Sequence, residues 1–181
     1  MKMPHLTTKG YKAMFFTLTL SILVVFTGFK PAAKKSKESP INWMTFEQAL
    51  KASEKSKKKI FIDVYTDWCG WCKKMDAATF SNQKVADYVN KKYYAVKLDA
   101  ESAKTLNFKG REVSERQLAG EVFKVSAYPT TVYLDENFDM LSPVPGYLDI
   151  PMFDKIIKFY GEDVFKKQSW QDFEATYKPS K

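Results

Sequence analysis

Two cysteines and one histidine are all that this 181-residue chain offers of the side chains that most often bind zinc or build disulfide frameworks. A closed zinc site needs four ligands, and the histidine, His5, stands far along the chain from Cys69 and Cys72. Two cysteines are also too few for a stapled scaffold. No glycine-rich phosphate loop, no Ser/His/Asp set and no internal repeat is present. A basic footprint for nucleic acid is missing too, despite a formal charge of +8. Residues 1–40 hold seven lysines and one glutamate, a net of +6, which leaves +2 for residues 41–181. That remainder is close to neutral and carries no stripe for phosphate backbones.

The lysines belong to a leader. A basic, polar start precedes an apolar run, Ala13 to Phe29, followed by "KPAAKKSKESP". This is the order of an export signal, and the run is also near the length of a spanning helix. The expectation is a signal peptide or membrane anchor over 1–29, a polar linker over 30–40, and a domain outside the cytoplasmic membrane. Apolar residues make up 45% of the chain, enough for a globular domain with its own core.

From Ile41 onward helical and strand patterns alternate. "TFEQALKASEKSKKK" predicts a helix capped by Thr45, with Gln48 completing a capping box. "KIFIDVYT" and "YYAVKLDA" predict buried strands. Between them, "CKKMDAATF" and "SNQKVADYVNKK" have helical character, the second with Ser81 as its cap. "LAGEVFKV" ends a further helix, and "TTVYLDENFDMLSPVPGY" predicts two strands around a polar turn. A helix follows with Pro151 in its first turn and Gly161 as its stop, then a short helical tail packing Trp170 and Phe173. Strands separated by helices imply parallel pairs, and the last two, joined by a tight turn, an antiparallel one. The fold class is α/β: a mixed central sheet with helices on both faces, spanning 41–161, with a C-terminal helical extension over 162–181.

The chemistry concentrates in "DVYTDWCGWCKKM", Asp63 to Met75. Four readings compete for its cysteines: a metal site, inert buried thiols, a Cu(I) carrier using two soft thiolates, and a redox couple. The context favours the redox couple. The pair follows a strand and opens a helix, whose unpaired N–H groups and positive dipole end lower a thiol pKa. Lys73 and Lys74 add positive charge, and the spacing permits a small disulfide ring. On this reading Cys69 is the exposed attacking thiol and Cys72 the resolving one.

These residues resemble the thioredoxin family. "WCGWCK" is similar to its W-C-x-x-C-K core, "AYPTTVYLD" (Ala127 to Asp135) to its second signature, and "GYL" (Gly146 to Leu148) to a glycine turn near its end. The likeness covers roughly residues 45–160, and by pattern the chain looks most like exported envelope thioredoxins, including the C-terminal domain of thiol:disulfide interchange proteins. The resemblance implies a thioredoxin fold and a protein disulfide oxidoreductase. It implies Cys69 as nucleophile, Cys72 as resolving thiol and Pro129 in a cis peptide bond facing them. Trp68, Gly70, Trp71, Tyr128 and Pro129 would bind substrate, Trp68 by shielding the pair and Tyr128 by backbone pairing with an extended strand. Asp63, six residues before Cys69, would be a buried acid of raised pKa that takes the proton from Cys72, with Lys97 beside it. No cofactor beyond the Cys69–Cys72 disulfide is implied. The partners implied are disulfide-containing substrate proteins and an upstream electron-donor thiol protein; the apolar run 13–29, read as an anchor and not as a cleaved signal, would add a membrane tether. The rival reading is a non-catalytic docking or Cu(I)-carrying module on the same fold.

The chain departs from the family in three places. Trp71 stands where oxidising relatives have histidine and adds no charge, which favours a reducing couple. Residues 101–117 are longer than a minimal domain needs and read as a solvated loop with one helical turn, or as a partner-recognition insertion. Asp99 and Glu101 read as a solvated face, not as an acid/base pair.

Overall fold

The computed structural model describes residues 40–178. The leader and all of the linker but Pro40 lie outside the described residues. Seven strands and six α-helices are formed among those described, with two π-type turns and one short 3-10 helix besides. Five strands, β1 (Trp43–Met44), β2 (Lys59–Tyr65), β3 (Tyr93–Asp99), β6 (Thr130–Leu134) and β7 (Met140–Pro145), build one sheet in the order β1-β3-β2-β6-β7. β2 lies at its centre because every residue from Lys59 to Val64 is buried, the pattern of a strand covered on both faces.

Alternation along β2 sends Ile60, Ile62 and Val64 to one face and Phe61 to the other. The first face is closed by α1 (Phe46–Lys55) through Phe46 and Ala49, and by Leu118, Ala119 and Phe123. The second is closed by α3 (Gln83–Lys92) through Val85, Ala86 and Val89, and by α5 (Ile150–Gly161) through Phe153, Ile156 and Ile157. Phe61, Phe80 and Phe153 meet there edge to face at 5.3–5.7 Å.

The Thr45–Gln48 capping box forms as the pattern required. Four expectations are corrected. The strand entering at Thr130 pairs antiparallel, not parallel, with β2. Its chain returns to the sheet at the end where β2 leaves, so Thr130 sits opposite Val64. The segment read as a loop, 101–117, holds a hairpin, β4 (Thr105–Phe108) and β5 (Arg111–Ser114), followed by α4 (Glu115–Gln117). The hairpin buries Leu106 and Val113 against the first face, which alternation over four residues was too short to announce. Asn82, not Ser81, caps α3, its Oδ1 accepting from the Val85 N–H at 3.2 Å, while the Ser81 hydroxyl donates to the Ala77 carbonyl. Gly161 does not stop α5 in a left-handed turn. It is the last helical residue, Glu162 caps the helix, and Asp163 takes the positive φ of 57°.

Gly161 is required for another reason. A Cβ there would lie 2.8 Å from both the Tyr88 and the Tyr93 hydroxyl oxygens. Tyr93 is buried and its hydroxyl donates to the Ile157 carbonyl at 2.5 Å, so it has nowhere to go. Gly161→Ala should therefore destabilise the protein by about 1–2 kcal/mol, overpacking outweighing the helix propensity gained. Denaturant unfolding checks this, and a stabilised variant would refute it. The tail forms α6 (Trp170–Thr176), whose Phe173 ring packs 5.3 Å from Phe159. Among the described residues no helix is long and apolar enough to cross a membrane.

Candidate redox site

β2 ends at Tyr65, and four residues later Cys69 caps α2 (Gly70–Met75). With Cys69 at the cap and Cys72 in the first turn, their Cα atoms lie 5.3 Å apart, within disulfide reach, and the two are joined. The Cys72 N–H points at the Cys69 Sγ at 3.0 Å, the contact a helix cap makes with one of the unpaired amides. That amide would favour a thiolate at Cys69 once the disulfide opens. The expected difference in exposure is not found: Cys69 is 4% exposed and Cys72 3%. In the joined state the bond holds the two sulfurs together, and the capping turn tucks Cys69 onto its own helix.

The antiparallel return of β6 brings the second signature to this end. The Tyr128–Pro129 bond is cis, and the Pro129 carbonyl accepts from the Gly146 N–H at 2.8 Å. Gly146 has φ of +96°, a conformation that favours glycine. That hydrogen bond sets the Tyr128 and Tyr147 loops side by side. Neither the N–H nor the carbonyl of Tyr128 makes a backbone hydrogen bond to another described residue.

Two exposed tryptophans flank the pair. Trp68 is 66% and Trp71 55% exposed. Trp68 sits edge-on to Tyr128 at 6.0 Å, and its indole N–H donates to Glu101 Oε1 at 2.9 Å. Glu101, read from sequence as merely solvated, thus holds Trp68. Trp71 leans on Tyr147 at 5.4 Å, and the Lys74 ammonium lies 4.4 Å from the Trp71 ring centre and 5.2 Å from that of Tyr147. Gly70 opens the helix with open space where a Cβ would stand.

Asp63, six residues before Cys69, is 1% exposed on the second face of β2. The register places it between Lys97 on β3 and Thr131 on β6. Lys97 Nζ donates to Asp63 Oδ2 at 2.5 Å and to Asp76 Oδ1 at 2.5 Å, and lies near the rings of Trp43, Tyr65 and Phe80. Asp63 Oδ1 is buried with no hydrogen-bond partner. Burial pushes the Asp63 carboxyl up to about 6, and the Lys97 charge only partly offsets it. Burial alone would lower the Lys97 pKa, but the Asp63 and Asp76 carboxylates outweigh it and raise it. Asp76 was not singled out from sequence. Its signal was its position four residues after Cys72, one helical turn on, where a wide π-type turn, Asp76–Phe80, begins.

The comparisons agree with this geometry. Residues 29–147 match a family model described as Thioredox_DsbH, a protein of unknown function, DUF255. An uncharacterized protein of Archaeoglobus fulgidus is 34% identical over 68 residues, 38% of this chain and 54% of that protein. The thiol:disulfide interchange protein DsbD of Photorhabdus laumondii is 28% identical over 116 residues, 63% of this chain and 18% of that protein. The chain thus spans about half the length of the first relative and under a fifth of the second. Among solved structures, a putative disulphide-isomerase from Bacteroides thetaiotaomicron superposes with a TM-score of 0.52 at 27% identity, covering 71% of this chain and 94% of that one. A DsbH oxidoreductase superposes with the same TM-score at 21% identity, over 67% and 85%, a likeness of fold.

Proposed function

Because the chain belongs to the Thioredox_DsbH family of thioredoxin-like domains, we propose that it is a protein thiol–disulfide oxidoreductase working as a reductase outside the cytoplasmic membrane. The observation that carries this reading is the disulfide between the cap and first turn of α2, beside a Tyr128 backbone that no described residue engages. A substrate strand can pair with that backbone while its own disulfide lies across Pro129.

The Cys69 thiolate attacks one sulfur of a substrate disulfide, and the other leaves as a thiolate that takes up a proton. Asp63, directly or through a water, accepts the proton of Cys72. The Cys72 thiolate attacks Cys69 Sγ, closing the Cys69–Cys72 disulfide and releasing the second substrate thiol. Two electrons have passed to the substrate. An upstream dithiol protein returns them, its own thiols becoming a disulfide, and the chain needs no flavin, nicotinamide or metal. Trp68, Gly70 and Trp71 form the surface against which the substrate rests. An export leader over residues 1–29, either a signal peptide or a membrane anchor through 13–29, completes this proposal.

Equilibration with thiol buffers tests the direction of flow. A potential near −270 mV is expected of a reductase, whereas one near −120 mV would make the protein an oxidant. A pair that neither equilibrates nor turns over insulin with dithiothreitol would leave the docking or Cu(I)-carrying module in its place.

A further inference from the structure

The two flanks of the disulfide differ in charge. On one, Trp68 is held by Glu101, with Asp67 next to it in the chain and Asp99 accepting from the Glu101 N–H. On the other, Trp71 and Tyr147 carry the Lys74 ammonium over their faces. Lys74 and its neighbour Lys73 are exposed, and neither has a carboxylate partner among the described residues. An ammonium has three donors, and ring faces fix its position without supplying an acceptor oxygen. Two rings on one lysine also remove much of the rotamer freedom that an exposed lysine otherwise loses on binding. The group is therefore a placed cation, two residues after Cys72 on the same helix and resting on Tyr147, whose loop is hydrogen-bonded to that of Pro129.

We propose that Lys74, seated on Trp71 and Tyr147, is a docking subsite for an acidic side chain near the disulfide of the substrate polypeptide, and that the Glu101 flank repels such a residue. The occupant is a polypeptide because the neighbouring Tyr128 backbone offers strand pairing, and acidic because the cation lacks a carboxylate. The Trp71 face adds apolar contact for the stem of a glutamate. The inference rests on the disulfide-exchange reading and names the substrate class of that site.

The test uses the full chain and two synthetic peptides, each closed by one intramolecular disulfide, that differ only in carrying glutamates or lysines beside the cysteines. Dithiothreitol supplies the electrons, and the ratio of the two kcat/KM values is read in each protein, so a general loss of activity cancels. The wild type should prefer the acidic peptide by about threefold to fivefold, the scale of an exposed ion pair. The preference should shrink at about 0.5 M salt and invert in Lys74→Glu. Equal rates, a preference indifferent to salt, or an unchanged ratio in Lys74→Glu would overturn the subsite while leaving the enzyme intact. If neither peptide is reduced, the reductase reading falls instead. Tryptophan fluorescence titration with serine-for-cysteine versions of the peptides then decides the subsite: tighter binding of the acidic one sustains it, and equal binding sinks it.

Discussion

Cys72→Ser should turn the protein into a trap for its own substrates. Cys69 keeps its position at the cap of α2 and still attacks, but no second thiol closes the ring and releases the product. The mixed disulfide should accumulate as a covalent adduct visible on a non-reducing gel and lost on adding dithiothreitol. Turnover in insulin reduction should fall by a factor of about 10³ or more, the scale of losing the group that completes a covalent mechanism. Cys69→Ser should lose turnover to the same extent and form no adduct, because Cys69, at the cap of α2, is the sulfur whose thiolate the Cys72 N–H favours. The contrast between the two variants is the informative part. Adducts from both, or from neither, would break the assignment of attacking and resolving thiols.

Asp63→Asn should slow the enzyme and stabilise it. The carboxyl is raised to about 6 from an ordinary 3.8 because it is fully buried and Lys97 answers only one of its oxygens. In the native state the carboxyl therefore holds its proton to higher pH than in the unfolded chain. The native state binds more protons between those values, and stability falls as pH rises through them. The contribution of Asp63 is fully present below about pH 3.8 and lost above about pH 6, a difference on the order of 2–3 kcal/mol. Asparagine mimics the protonated form and does not titrate. The oxidised wild type and Asp63→Asn should thus have similar stability at low pH, and the variant should be the more stable at pH 8. Guanidinium unfolding at both pH values measures this. Turnover should move the other way. Without an acceptor for the Cys72 proton, the variant should be about tenfold or more slower near pH 7 and recover toward pH 9, where the thiol ionises unaided. A variant that matches the wild-type rate at pH 7 would remove Asp63 from the mechanism.

Both predictions concern groups that were legible in the sequence, and legible for a local reason. The cysteines lie three residues apart at a strand-to-helix junction, so the ring between them is set by one helical turn. Asp63 stands in the run "IFIDVY", where a charged residue among buried neighbours has to be paired or shifted. The capping box at Thr45, the buried strand at Lys59–Tyr65 and the proline at the head of α5 likewise follow from spacings within a few residues.

What the sequence could not decide lies between segments. Lys97 was a candidate on resemblance alone, and its grip on both Asp63 and Asp76 exists because β3 runs beside β2 in a register that sets Lys97 against Asp63. Glu101 looked solvated until the fold put it 2.9 Å from the Trp68 indole. Tyr147 and Lys74 are 73 positions apart and meet only because the Pro129 and Gly146 loops are joined by a hydrogen bond at the disulfide end of the sheet. The direction of β6 was missed for the same reason, since its partner β2 is distant in the chain, whereas the β4–β5 hairpin is local and was missed because each strand has only four residues of alternation. The sequence by itself determined the thiol pair, its helix, the buried acid and the α/β alternation, because each is a matter of near neighbours. The charge neighbours of the acid, the holding of Trp68 and the cationic flank were decided by the tertiary structure alone, because register and loop contact bring together residues that chain order keeps apart.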